Sequence, residues 1–357
     1  MGFPDTTSAL AFPRRNNLEW LRLIFAVQVV LVHASEHLNL KIPSIIDHFP
    51  GVPAFFFVSG FLIYASYLNA PGKRYFANRF LRLFPALAFV TLGSLAVVLT
   101  AHGWRDLVRN FPAYGVWFVS QITIGQVYNP ALFRDIGVGA INGSLWTITT
   151  EILFYCSVPI LIWLERRFRF TLVALMAATF ILYVTGPLMW HEAVYRQKTI
   201  YDIIAVTPLA WGWMFGFGIV AVKHFDVVRR WLRYLPAAIV PMAAMIAFGK
   251  GPLFASVGNR VGIVYFVCYV AVVLWFAFAT PFVRLKFDLS YGIYVWHMPV
   301  INLLLVLAVP DAAPLAIALT FAISALSWFL VEKPALRLKR QSLKPIDLSP
   351  RLVAESL

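Results

Sequence analysis

Ten long apolar segments follow one another through this chain, at 18–36, 51–70, 83–101, 145–164, 170–190, 203–222, 234–249, 262–282, 289–309 and 313–332. Most approach the ~20 residues that a helix needs to cross the hydrocarbon core of a bilayer. Composition agrees: 61% of the residues are apolar or aromatic and 13% are charged, against about 45–50% and about 25% in a soluble domain. A disordered chain, a collagenous chain and an ordinary soluble enzyme are excluded. The expected fold class is all-α: a polytopic membrane bundle of about ten transmembrane helices. It forms one domain over 18–332, between a short segment at 1–17 and a basic tail at 333–357 too small to fold by itself.

An eleventh segment, at 113–127, is shorter and interrupted by Ser120, Gln121 and Gly125. The basic residues decide its role. If it does not cross, Arg14 and Arg15, the 73–82 cluster, Arg166, Arg167 and Arg169, the 223–233 cluster, Arg284, Lys286 and the tail from Lys333 to Arg351 all share one side. Isolated residues such as Lys41, Arg105, Arg134 and Arg260 fall on the other. The positive-inside bias therefore makes 113–127 a re-entrant or interfacial segment and puts both termini in the cytoplasm. The formal charge of +14 is a topology signal, and no nucleic-acid partner is expected. Cys156 and Cys268 lie far apart in apolar runs, with neither metal-ligand spacing nor a disulfide framework.

An ionisable side chain inside a span is costly, so each one is a candidate site. In the first span Arg22 and His33 are eleven residues apart, about 1100° or three turns plus about 20°, and so share a helix face about 16 Å apart. A plainer reading has Arg22 snorkelling to headgroups and His33 bonding within the bundle. His33, Glu36 and His37 formally match an H-x-x-E-H zinc signature. No third ligand is indicated, and no metal is expected. Glu36 orients the imidazole or meets water. Ser59 lies with Gly51, Pro53 and Gly60 in a second span open to close backbone approach. Arg79 and Arg82, i and i+3 before Pro85, suit a phosphate at a membrane surface or serve topology alone. Glu151 sits inside an apolar run with Trp146 five residues before it and Tyr155 one turn after; it needs a partner, such as Arg22, or a wet cavity. His297 lies at helical depth in the ninth span. His191, Asp202, His224 and Glu332 stand at span edges and ask for no special explanation. No phosphate-binding glycine loop is present.

With these segments in order, the chain resembles the acyltransferase-3 family of integral-membrane O-acyltransferases. The resemblance runs from about Asn16 to Glu332. Its motifs are the Arg22-x10-His33 spacing in NNLEWLRLIFAVQVVLVH, FFFVSGFLI, the Arg79-x-x-Arg82 pair, SLWTITTEILFY and SYGIYVWHMP. It implies a cytoplasmic acyl-CoA donor, usually acetyl-CoA, with no permanently bound cofactor. The acceptor is a hydroxyl of a carbohydrate or glycolipid beyond a bacterial inner membrane. Under it Arg22, Arg79 and Arg82 bind the donor, and His33 acts as general base or transient acyl carrier. Glu151 orients the imidazole or a substrate, while Ser59, Trp146, Tyr155 and His297 line the tunnel or the acceptor site. Some relatives carry a fused outer domain; here the acceptor is expected to come directly to the membrane mouth, with 129–143 as an outer lid. The competing reading of the same charges is a transporter or flippase of a lipid-linked sugar.

Overall fold

The computed structural model describes residues 12–13, 15–185 and 204–341. His191, Asp202 and most of the two terminal segments lie outside the described residues. The apolar segments are helices. Six stretches are long and apolar enough to cross a membrane: Leu18–Leu38, Ser44–Asn69, Lys73–Arg109, Gly143–Arg167, Phe225–Phe248 and Ala313–Leu338. Four shorter apolar helices, Thr171–Thr185, Pro208–Lys223, Ile263–Ala279 and Ser290–Val306, coincide with the other expected segments. The chain is a helical membrane protein.

The elements that frame the site are α1 (Leu18–Leu38), α2 (Gly51–Asn69), α3 (Lys73–Arg109), α4 (Phe111–Ile124), α5 (Trp146–Arg167) and α6 (Thr171–Thr185). They continue with α7 (Pro208–Lys223), α8 (Phe225–Trp231), α9 (Ile239–Phe248), α10 (Ile263–Ala279), α11 (Ser290–Val306), α12 (Ala313–Ser327) and α13 (Lys333–Gln341). Two of them are apolar on every side and accordingly buried: α2, which packs on α7, and α11, which packs between α1, α3 and α12. The α2–α7 crossing is made possible by two glycines. A Cβ on Gly60 would overlap the Phe215 carbonyl, and one on Gly218 the Phe57 carbonyl, so the two backbones touch as in other small-residue membrane crossings. Gln28 of α1 joins the bundle at the start of α2. Its carbonyl accepts from Gly51 N at 2.9 Å, which satisfies one of the orphan N–H groups of the helix start, and its amide donates to Ile46 O at 3.2 Å.

Three features depart from the sequence expectation. First, α3 is far longer than 83–101, and Gly103 at φ 75° breaks it before its last stretch; only glycine enters that conformation without strain. Second, the fold is not purely helical. Ser256–Val257 and Arg260–Val261 form an antiparallel hairpin, β1 and β2, with Gly258 at φ 57° in its two-residue turn. Third, 129–143 is a fixed wall rather than a lid. Asn302, fully buried in α11, accepts from Val138 N at 2.8 Å and donates to Ala140 O and Ile141 O at 3.0 Å each. Asn142 donates to Val295 O at 2.9 Å. The segment at 113–127 becomes α4, whose buried Tyr114, Trp117 and Gln121 repeat at helical spacing; Tyr114 and Trp117 pack with Phe133, Ile136 and Ile141 of that wall, and Gln121 donates to Gln126.

Candidate functional site

The face of α1 that carries Arg22 and His33 supplies both ends of the site. At one end, Asp288 accepts from Arg22 Nη1 at 3.1 Å and from Arg82 Nη2 at 2.7 Å, both on Oδ2. Its other oxygen accepts from the Ser290 hydroxyl at 2.6 Å. Burial pushes the Asp288 carboxyl up, but Arg22, Arg82 and the Ser290 hydroxyl together outweigh burial and hold it well below the usual carboxylate range. Arg79 does not join this cluster. Its guanidinium lies over the rings of Tyr75 and Tyr155, 5.7 Å and 5.4 Å from their centroids. The two arginines thus have different partners despite their i,i+3 spacing.

Between the ends is a void of about 60 Å³ lined by Arg22, Ser59, Glu151, Tyr291 and Tyr294. Glu151 is held by Tyr155, whose hydroxyl donates to Oε1 at 2.5 Å. Neither expected partner is seen to bond to Glu151: the Arg22 guanidinium, across the same small void, bonds to Asp288, and His33 bonds to His297. Tyr155 therefore stands behind the lining and positions Glu151 instead of forming the tunnel wall.

At the other end is a cavity of about 830 Å³, whose wall includes His33, Glu36, His37, Trp146, Ser144 and Tyr294. It shares Val52 and Tyr294 with the small void, so these two side chains stand between the two spaces. His297 is fully buried and does not line this cavity, contrary to the sequence expectation. It lies behind His33, with its Nε2 2.7 Å from His33 Nδ1 and the two rings stacked at 10°.

The bonding partners assign the tautomers of this pair. His297 Nδ1 is 2.7 Å from the Tyr294 carbonyl oxygen, which can only accept, so the proton of a neutral His297 is on Nδ1. Its Nε2 then holds a lone pair and accepts from His33 Nδ1–H. His33 is left with its lone pair on Nε2, the state required of a general base. The chain Tyr294 carbonyl, His297, His33 has the logic of a catalytic triad, with a backbone carbonyl in the third place. His37 stacks on the cavity side of His33 at 5.9 Å between centroids, and Glu36 Oε2 is 3.9 Å from His37 Nε2. Among the described residues no group of His, Cys, Asp and Glu has the geometry of a metal site.

Sequence reasoning missed Asp288, Asn302 and the buried Glu332. The available signal for Asp288 was a single acid beside Arg284 and Lys286 at the start of the ninth span. Glu332 stands at a span edge but is only 3% exposed, because a π-turn over Trp328–Glu332 rotates it inward to Ser327 Oγ at 3.2 Å.

Fold and site together define an integral-membrane protein in which one helix carries an arginine of a cation cluster at one end and a histidine of a buried pair at the other. The model of a protein family described as an acyltransferase domain matches residues 15–332, and the chain belongs to that family. It is 30% identical to nodulation protein 10 of Rhizobium leguminosarum bv. viciae, over 91% of this chain and 94% of that protein. It is 26% identical to an O-acetyl transferase of Shigella phage Sf6, over 78% and 82% of the two chains. It is 24% identical to the peptidoglycan O-acetyltransferase OatA of Listeria monocytogenes, over 89% of this chain and 55% of that longer protein. No solved structure matches the chain. It is an O-acyltransferase, and the transporter reading is set aside.

Proposed function

We propose that this enzyme moves an acyl group, acetyl by preference, from acyl-CoA to a hydroxyl of a carbohydrate or glycolipid across a bacterial inner membrane. The chain crosses ten times, with both termini in the cytoplasm, as the distribution of its basic loops supports. The donor's phosphates meet the cytoplasmic cations around Arg82 and Arg79, its arm passes Arg22, Ser59 and Glu151, and its thioester reaches His33. The observation that carries this reading is the His33–His297 pair on the cavity wall, on the same helix face as Arg22. The names of the phage and Listeria relatives favour acetyl as the group, and the Listeria name, which specifies peptidoglycan, favours a glycan as the acceptor.

His33 Nε2 takes the acceptor's hydroxyl proton while that oxygen attacks the thioester carbonyl. The C–S bond breaks, and the departing CoA thiolate takes the same proton back from the imidazolium. No net charge is left at the site. While charged, His33 is supported by His297, whose Nε2 accepts a charge-assisted bond while its Nδ1–H donates to the Tyr294 carbonyl. The test is His33→Gln in membranes with radiolabelled acetyl-CoA. Transfer should fall at least ~10²-fold, the low end for loss of a general base, with donor binding and expression intact. Transfer within a few-fold of wild type would reject His33 as the base.

A further inference from the structure

A second cavity of about 880 Å³ adjoins the one that contains His33. The two share Glu36, Trp146, Gly258 and Asn259, which form a collar between them. Beyond the collar the second cavity is lined mostly by apolar side chains, Trp211, Met245, Phe254 and Val257 among them, with His48 and Ser256 as polar groups. Each cavity falls within the roughly 300–1,000 Å³ of a whole small-molecule site. An acceptor confined to the His33 side would leave the other of nearly equal size unused.

The collar is built rigidly. Gly258 N donates to Asp47 O at 2.9 Å, and His48 Nδ1 lies 2.8 Å from Ser256 Oγ. The Tyr183 hydroxyl donates to Asn259 O at 2.6 Å and accepts from Val261 N at 2.7 Å. The His48 carbonyl accepts from the Tyr265 hydroxyl. These bonds occupy backbone and supporting side chains, while the side chains of Asn259 and Glu36 stay exposed at the junction. Trp146 is backed by Trp211 at 5.2 Å and by Phe56 at 6.1 Å between centroids, which fixes its plane. A flat indole between a carboxylate and an amide is suited to a sugar ring. The apolar C–H face of the sugar covers the indole, and adjacent hydroxyls donate to Glu36 and exchange bonds with Asn259.

We infer that the second cavity is a subsite for a neighbouring unit of the acceptor, so that the acceptor is a saccharide of at least two linked units held at the Glu36–Trp146–Asn259 collar. This rests on the acyltransferase reading above and goes beyond it in naming the acceptor's minimum size and the residues that grip it. The unit over His33 is acylated; its neighbour passes the collar into the second cavity.

The test supplies radiolabelled acetyl-CoA to the full-length protein in membranes of the cells that produce it, with free thiol and labelled product both measured. Mass analysis of the smallest labelled product should find at least two linked sugars. Val257→Trp fills the second cavity from an exposed strand position, and Asn259→Ala removes the amide while leaving the backbone carbonyl that Tyr183 binds. Each should raise the acceptor KM at least about fivefold, Val257→Trp by excluding the second unit and Asn259→Ala by the loss of one or two hydrogen bonds, with kcat and the acetyl-CoA KM within about twofold. Label on a single sugar unit or on a non-sugar hydroxyl overturns the inference and leaves the enzyme an acyltransferase. Unchanged acceptor KM in both variants also overturns it. If no acetyl-CoA-dependent thiol is released at all, the acyltransferase reading fails, and the subsite with it.

Discussion

His297 touches neither cavity, yet its replacement should slow the reaction in a way that depends on which ring atom is imitated. Asparagine places its amide nitrogen near the former Nδ1 and keeps the bond to the Tyr294 carbonyl, but it has nothing to accept from His33, whose Nδ1 sits 2.7 Å from Nε2 in the native pair. Glutamine reaches further, and its amide oxygen can replace Nε2 as acceptor. In the resting enzyme the lost bond is between neutral groups, worth about 0.5–1.5 kcal/mol; with His33 protonated it is charge-assisted, about 1.5–3 kcal/mol. Only the excess of the second over the first changes the rate, because a bond equally strong in both states cancels. That excess is about 1–2 kcal/mol, or about 5–30-fold in kcat. His297→Asn should therefore lose about that factor with the acetyl-CoA KM unchanged, and His297→Gln should stay within about threefold of wild type. The assay is label transfer from acetyl-CoA in membranes at matched expression. An Asn variant as fast as wild type, or a Gln variant as slow as Asn, would refute the assignment of His297 as the acceptor that holds His33.

Asp288→Asn leaves Arg22 and Arg82 without their shared anion. The loss should be about 2–3 kcal/mol of stability, less than the roughly 3–5 kcal/mol of a fully buried pair, since the three side chains keep 12–21% exposure. Because the Asp288 carboxyl is depressed in the folded protein, its contribution is complete above the ordinary carboxylate value of about 3.9 and is lost as pH falls below that toward the lower folded value. Thermal unfolding in detergent should show wild type and variant converging only below about pH 4; a gap constant down to pH 3 would contradict the pairing. Gly218→Val drives a branched side chain into the Phe57 carbonyl and should cost roughly 1–3 kcal/mol or more through overpacking. An unaltered unfolding temperature would mean that α2 and α7 do not pack backbone to backbone.

The fold was legible where it followed from length and hydropathy, since an apolar run of about 20 residues has few alternatives to a helix in a bilayer. The shared face of Arg22 and His33 was legible for a similar reason: helical angle is arithmetic within one element. Pairing between elements was not. Glu151 and Asp288 were both acids within reach of a cation in sequence terms, and only the packing of α11 against α1 and α3 selects Asp288 for Arg22. His297 presented as a second wall histidine because sequence spacing gives a residue's angle on its own helix, not which neighbour that angle meets. The hairpin at 256–261 was invisible because two-residue strands carry no periodicity, and the wall at 129–143 resembled a lid because its fastening residue, Asn302, lies more than 150 residues away.

The two ends of the site differ in chemistry. At one end Arg22 and Arg82 share Asp288, with Glu19 and Glu332 close enough to act on the same cluster; the other end is a hydrogen-bonded pair of imidazoles. Between them lies the void of about 60 Å³, small beside the cavity of about 830 Å³ that carries His33. On the proposed path the donor's arm passes this narrow stretch. Its walls are tied to their neighbours: Gly60 and Gly218 hold α2 against α7 at backbone contact, and Asn142 ties the segment before α5 to α11. The aromatic lining is packed as well. Phe55 lies edge-on to Phe25 and Tyr294, and Phe56, 3% exposed, meets Trp146, Phe154 and Trp211. The α2 side of the void is therefore set by its neighbours on every side, and Ser59 and Glu151 are the polar groups it presents between the two ends.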